Sequence, residues 1–199
     1  MIALIESLVR TQHTIIFWVY INLEDRMKIE EKLINMGIAL PNLEDLYRAN
    51  KSGARYVSHH AIGSVLYLSG CTPTKDGKPF LPGLLGKDLS VEEGYAAARH
   101  TMICYLGMIK YVLGDLDRVK TFLHMVGYVN SSEGFSEQPR VVNGAVDLLV
   151  EVYGNRGMPT RAAIGCRGLA SNHSVELILT LEFDGKKTSE PLARDKFNN

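Results

Sequence analysis

Cysteine is scarce in this chain, charge of neither sign is in excess, and no apolar run is long enough to cross a membrane; each shortage removes a class of function. Three cysteines, Cys71, Cys104 and Cys166, occur in 199 residues. Their odd count and the lack of any CxxC spacing fit packing residues in a reducing compartment, and hence a cytoplasmic location, better than a disulfide scaffold. A thiol nucleophile needs an adjacent base, and none is read beside these three. Lysine and arginine number 22, as do aspartate and glutamate. No overall field therefore draws the chain to nucleic acid or to an anionic membrane. The segment TIIFWVYI looks like part of a membrane span but has eight residues, against the roughly 20 that a spanning helix needs, and no secretory cleavage pattern follows it. Ligand clusters are missing too. His59 and His60 are adjacent in an extended segment and point apart, with no cysteine or carboxylate at ligand spacing. Gly83 to Gly86 lacks the strand, helix and Lys-Ser/Thr context of a phosphate loop. Neither a metal nor a cofactor is expected.

What is present suits one packed domain, with 46% hydrophobic residues over a length that makes a second large domain unnecessary. Met27 opens MKIEEKLINMGIALPN, a short amphipathic helix followed by Gly37 and Pro41, and reads as the more natural start. Residues 1–26 are then an N-terminal extension upstream of that start, or a segment packed on a single domain of residues 27–183. The polar stretch 184–199, which contains Pro191, is expected to be a mobile tail.

Within the domain, helix and strand signals alternate. SVLYLSG (64–70) is rich in β-formers and reads as a strand closing at Gly70. The stretch from Cys71 to Leu89, dense in proline and glycine, reads as a long loop of the kind that often carries function. Ser90 and Glu93 have capping-box spacing ahead of Ala98, Met102, Tyr105, Ile109 and Val112, so a helix of about six turns ends at Gly114. RVKTFLHMVGYVN (118–130) alternates as a strand does. A second helix runs from about Ser136 to Tyr153, with Pro139 in its first turn and Gly154 past its end. Two strands, 160–167 and 174–183, finish the domain and are expected to pair as a hairpin. In the last of them Val175, Leu177, Leu179 and Leu181 share one face, which should lie under the two helices. Glu176, Ile178, Thr180 and Glu182 share the other, which must meet solvent, a ligand or another subunit. Arg161, Ala163 and Gly165 share a face of the preceding strand, where small residues should leave space beside the guanidinium. Whether Arg161 and Glu176 share a face cannot be read, because register is long-range information.

The segments VLYLSG, DLSVEEGYAAARHTMICYLGMIKYVLGDLDRVKTFLHMVGYVN, FSEQPRVVNGAVDLLVEVYG and PTRAAIG followed by SVELILTLEF resemble the reactive-intermediate deaminase family (RidA, also called YjgF-like or L-PSP endoribonuclease-like), most nearly a bacterial branch of it. The resemblance covers roughly residues 28–183, and the PTR motif followed by the VEL strand is its most specific part. It implies an α+β, chorismate-mutase-like fold: a mixed sheet with two long helices on one face, in a homotrimer with ligand clefts between subunits.

In active family members an arginine binds the carboxylate of a 2-imino or 2-enamino acid and a glutamate positions the water that releases ammonia. These match Arg161 and Glu176. The tyrosine and serine of the family cleft match Tyr56 and Ser69, next to Gly70, and the asparagine of the second helix matches Asn143 with one residue inserted before Arg161. The implied substrate is a small carboxylate-bearing molecule, a 2-imino or 2-oxo acid. Departures stand beside these matches: Ala163 replaces a frequent cysteine, Cys71 replaces the usual glutamine, and the loop from Cys71 to Leu89 is longer. Imine deamination is thus the leading expectation. A non-catalytic carboxylate-binding trimer serving as sensor or regulator is the alternative. Endoribonuclease activity, which the family's older name implies, is disfavoured by the lack of a basic stripe and of a histidine acid and base pair.

Overall fold

The structure, a computed structural model, describes residues 28–49 and 54–193. The expectations for residues 1–26 and for 194–199 lie outside the described residues. Helix α1, Ile29–Asn35, buries Ile29 and Leu33. Helix α2, Leu43–Ala49, starts where the Asn42 side chain accepts the Glu44 amide at 2.8 Å, as an N-capping side chain does. Leu43 and Tyr47, four residues apart, bury one face of it.

Strands β1, His59–Ile62, and β2, Val65–Cys71, form an antiparallel hairpin around Gly63 and Ser64; the first of these strands was not anticipated. The expected long loop is partly built. Strands β3, Thr74–Lys75, and β4, Lys78–Pro79, pair across Asp76 and Gly77, both with positive φ (50° and 74°), the left-handed conformation that tight hairpin turns require.

Helix α3, Val91–Leu113, begins with the expected capping box: Ser90 Oγ accepts the Glu93 amide at 3.1 Å, and Glu93 Oε2 accepts the Ser90 amide at 2.8 Å. It ends at Gly114 in the left-handed region, φ 76°. Strand β5, Val119–Asn130, helix α4, Gln138–Tyr153, strand β6, Thr160–Cys166, and strand β7, Val175–Phe183, complete the domain. The sheet order is β1-β2-β7-β5-β6, antiparallel except for the parallel β5–β6 pair.

The expected hairpin of the last two strands is not formed. Strand β5 separates them, with β6 parallel on one side and β7 antiparallel on the other. The crossover through α4 explains this, because a strand, a helix and a returning strand place the two strands side by side and parallel. The link after β6 then swings past the end of β5 through Ser171 and Asn172, at φ 54° and 57°, and the Asn130 amide donates to Ser174 O at 2.9 Å.

Helices α3 and α4 cover one face of the sheet. Val175, Leu177, Leu179 and Leu181 are fully buried beneath them, as their alternation implies. Two glycines permit the approach. A Cβ on Gly127 would stand 2.6 Å from Val142 of α4, and one on Gly144 would stand 2.0 Å from the Tyr95 carbonyl of α3.

Residues 184 to 193, expected as a mobile tail, instead run back along the domain. Arg118 pairs with Asp184 at 2.9 Å, the Ser189 amide donates to Val112 O at 2.9 Å, and the Ser58 amide donates to Leu192 O at 2.9 Å. His59 Nε2 lies 3.1 Å from Ser189 O. The sequence hid this because polar residues hold the segment by backbone hydrogen bonds, which leave no hydrophobic pattern.

Candidate functional site

The sheet register divides the candidate residues into two groups. Arg161 is paired with Met125, which is paired with Leu179. Both partners are buried, so Arg161 projects to the helix-bearing side of β6, a strand at the sheet edge. There its Nη1 donates to Asn143 Oδ1 of α4 at 2.7 Å. Glu176 is paired with Tyr128, three residues further along β5. Since side chains alternate, it projects from the opposite, open face. Arg161 and Glu176 of one chain therefore face apart, two strands from each other.

Glu176 heads the second group. A Cβ on Gly70 would come within 2.3 Å of Glu176 Oε1, so only glycine there lets the carboxylate lie on the end of β2. Ser69 Oγ donates to Val57 O at 2.6 Å, which commits its proton within the chain and leaves its oxygen as an acceptor for a ligand. Tyr56, just before that carbonyl, stacks edge-on against Tyr47 of α2, ring centres 5.9 Å apart. A cleft of about 50 Å3 is lined by Tyr47, Tyr56, Gly70, Cys71, Thr72 and Met108, among others. Beside the first group, a shallower groove of about 310 Å3 runs along Val91, Glu92, Tyr95, Arg140 and Asn143.

The family described as "YjgF/chorismate_mutase-like, putative endoribonuclease" matches residues 30–180. The chain belongs to this family. Protein TCP17 of Trypanosoma cruzi is 36% identical over 158 residues, which are 79% of this chain and 95% of that protein. Among solved structures, Atu1372 of Agrobacterium tumefaciens, a protein of unknown function, is 35% identical with a TM-score of 0.69, over 78% of this chain and 92% of that one. A Shewanella oneidensis protein is 29% identical with a TM-score of 0.72, over 79% and 100%. The chorismate-mutase-like α+β fold expected from the sequence is thereby established.

Two of the family departures take physical form. Ala163 is half-buried and packs against the core, and Gly165 leaves no open space, since a Cβ there would meet Gln138 Nε2 at 2.7 Å. The expected void along this face of β6 is therefore filled by the first turn of α4. Cys71 is buried in the cleft wall.

Burial raises the affinity of the Glu176 carboxyl for its proton, because the charged form loses hydration. Folding thus favours the protonated group, and stability falls as pH rises from the ordinary glutamate range through its raised value. Glu176→Gln is accordingly expected to melt higher than the parent near neutral pH. The difference should vanish in acid, below the ordinary carboxylate range, as thermal scans across pH would show.

One positioning residue was missed as such. Tyr105 reads in sequence only as part of an apolar stripe, yet its hydroxyl lies 2.9 Å from Ser69 O and 2.7 Å from Leu177 O, tying together the two strands that carry the Glu176 group. His59 and His60 face apart as expected: His59 is buried with Nδ1 2.9 Å from Ser58 Oγ, and His60 is exposed. Among the described residues, Glu30, Asp115 and Asp117 form the one carboxylate group tight enough to hold a cation. Lys110 already pairs with Glu30 at 2.6 Å. Among the described residues, no helix is long and apolar enough to cross a membrane.

Proposed function

We propose that the chain hydrolyses imines or enamines derived from amino acids to 2-oxo acids and ammonia, in clefts between the subunits of a homotrimer. The carrying observation is the separation of Arg161 with Asn143 from Glu176 with Gly70, Ser69 and Tyr56 on opposite faces of one sheet. Each half lacks what the other holds. The first has a cation for a carboxylate, and the second has a base beside a small cleft. Apposition of the two across a subunit boundary completes a site. The open face supports such a contact, because Tyr67, Ile178 and Ile164 stand exposed on it in adjoining rows.

In this reading Arg161 takes the substrate carboxylate as a planar fork, with Asn143 holding the guanidinium in orientation. Glu176, already reluctant to stay ionised, accepts a proton from water as the oxygen attacks the imine carbon. Glu176 returns that proton to nitrogen; the hydroxyl of the resulting carbinolamine then passes its own proton to nitrogen through the same carboxylate as the C=O bond forms and the C–N bond breaks, so that ammonia leaves a 2-oxo acid. Attack at so electrophilic a carbon needs chiefly orientation and a fixed electrostatic environment. Few polar groups therefore suffice.

The test is ammonia release from 2-aminoacrylate generated in situ by a serine dehydratase. Acceleration by the purified chain, lost in Glu176→Gln, is the expected result. Binding of 2-oxo acids without acceleration would contradict hydrolysis and leave a carboxylate-binding trimer as the function.

A further inference from the structure

The segment that follows β7 is tied to the candidate site through Ser58, which hydrogen-bonds on both sides. On one side the Ser58 carbonyl accepts the Ser69 amide at 3.0 Å, and the neighbouring Val57 carbonyl accepts the Ser69 hydroxyl at 2.6 Å. On the other side the Ser58 amide donates to Leu192 O at 2.9 Å, the Leu192 amide donates to Ser58 Oγ at 3.0 Å, and Val57 bridges to Ala193. His59 completes the clasp, with Nδ1 2.9 Å from Ser58 Oγ and Nε2 3.1 Å from Ser189 O. Both Ser58 and His59 are buried. These partners fix the protons. A backbone carbonyl only accepts, so Nε2 carries the ring proton. Ser58 Oγ accepts from Leu192, so its own proton goes to a bare Nδ1. Every group is satisfied with a neutral ring, and only then. A second ring proton, on Nδ1, would point at Ser58 Oγ, displace the hydroxyl proton from its acceptor and bury a charge.

We propose that residues 184–193 are a strap whose far end clamps Ser58, and through it positions Tyr56 and Ser69, at neutral pH and lets go in mild acid, with His59 as the residue that takes the proton. Burial acts in the same direction as the hydrogen bonds, holding the His59 ring below the ordinary histidine value. Among the described residues, the charges that act on the ring are His60 of β1, which opposes a second proton, and Glu190 of the strap, which favours it. Tyr111 of α3, whose hydroxyl donates to Glu190 O at 3.4 Å, is kept neutral by partial burial. Once released, the ring regains its ordinary affinity, at about 6.5. The released form therefore binds more protons, and docking weakens as pH falls from about 6.5 toward the lowered value. The near end does not respond. Arg118 holds the Asp184 carboxyl down to about 2, so their ion pair survives mild acid and the strap swings rather than detaches. An effect on turnover rests on the function proposed above, whereas release of the strap does not.

Hydrogen exchange of the full chain, compared at about pH 7 and about pH 5 and corrected for the intrinsic pH dependence of exchange, reads the strap directly. Protection of the Ser189 and Leu192 amides should fall about tenfold between the two. The Asp184 amide, which donates to Arg118 O at 3.1 Å, should stay protected. His59→Gln keeps a donor for Ser189 O but takes no proton, so its strap should not loosen in acid. Glu190→Gln, at an exposed position, removes the carboxylate that favours the imidazolium and should deepen the fall. Protection in the parent that does not change with pH would overturn the proposal whatever the variants do. The same fall in His59→Gln as in the parent would overturn it too, since another group would then be the trigger. Ammonia release by the same proteins reads the linked claim: the acid side of the kcat/KM profile should fall less steeply in His59→Gln than in the parent. A parent that releases no ammonia at either pH would contradict the deaminase reading and leave the exchange result standing.

Discussion

Arg161→Ala is expected to lower kcat/KM for imine hydrolysis at least about a hundredfold while leaving folding and oligomer size unchanged. Its magnitude follows from chemistry and its selectivity from position. A guanidinium that takes a carboxylate in a water-poor cleft contributes charge and orientation together, and truncating one partner of such a pair costs about 2–5 kcal/mol. The side chain sits on the edge strand β6, half-buried, and its hydrogen bond to Asn143 is at an exposed position, so the core loses little. Arg161→Lys restores the charge but not the planar fork and should recover only part of the rate. Circular dichroism and gel filtration of both variants separate loss of chemistry from loss of fold.

The largest effect on stability is expected at Gly144. An alanine Cβ there would stand 2.0 Å from the Tyr95 carbonyl oxygen and 2.9 Å from its carbon. Both atoms belong to the backbone of α3, so no rotamer change relieves the overlap and the two helices must part. Overpacking of this kind costs about 2–3 kcal/mol, or roughly 5–10 °C in melting temperature for a domain of this size. Gly168→Ala is the matched control, because nothing lies within 4 Å of its added Cβ. It should melt with the parent.

Legibility in the sequence followed the range of the interactions. Helices α3 and α4 were readable because their signals are local: Ser90 with Glu93, Gly114, Gly154, and an apolar residue every three or four positions. The buried face of β7 was readable from alternation alone. Pairing was not, since the neighbour of β6 is decided by where α4 returns the chain, and the eight residues 167–174 that connect β6 to β7 look the same whether or not a strand intervenes. Short elements escaped as well. Strand β1 carries too few residues to alternate, although Gly63 and Ser64 form a two-residue turn signal before VLYL. At the candidate site, motif spacing singled out Arg161 and Glu176 as candidates, but their opposite faces follow from the parallel and antiparallel registers on β5.

The proposed function requires that a working cleft take Arg161 from one subunit and Glu176 from another. Co-refolding equal amounts of Arg161→Ala and Glu176→Gln, then measuring ammonia release from 2-aminoacrylate, tests it most directly. Each variant alone should be inactive. In randomly mixed closed trimers about a quarter of the clefts would combine an intact arginine with an intact glutamate, so the mixture should recover about that fraction of parental activity. A mixture as inactive as its components, despite verified exchange of subunits, would contradict the shared cleft.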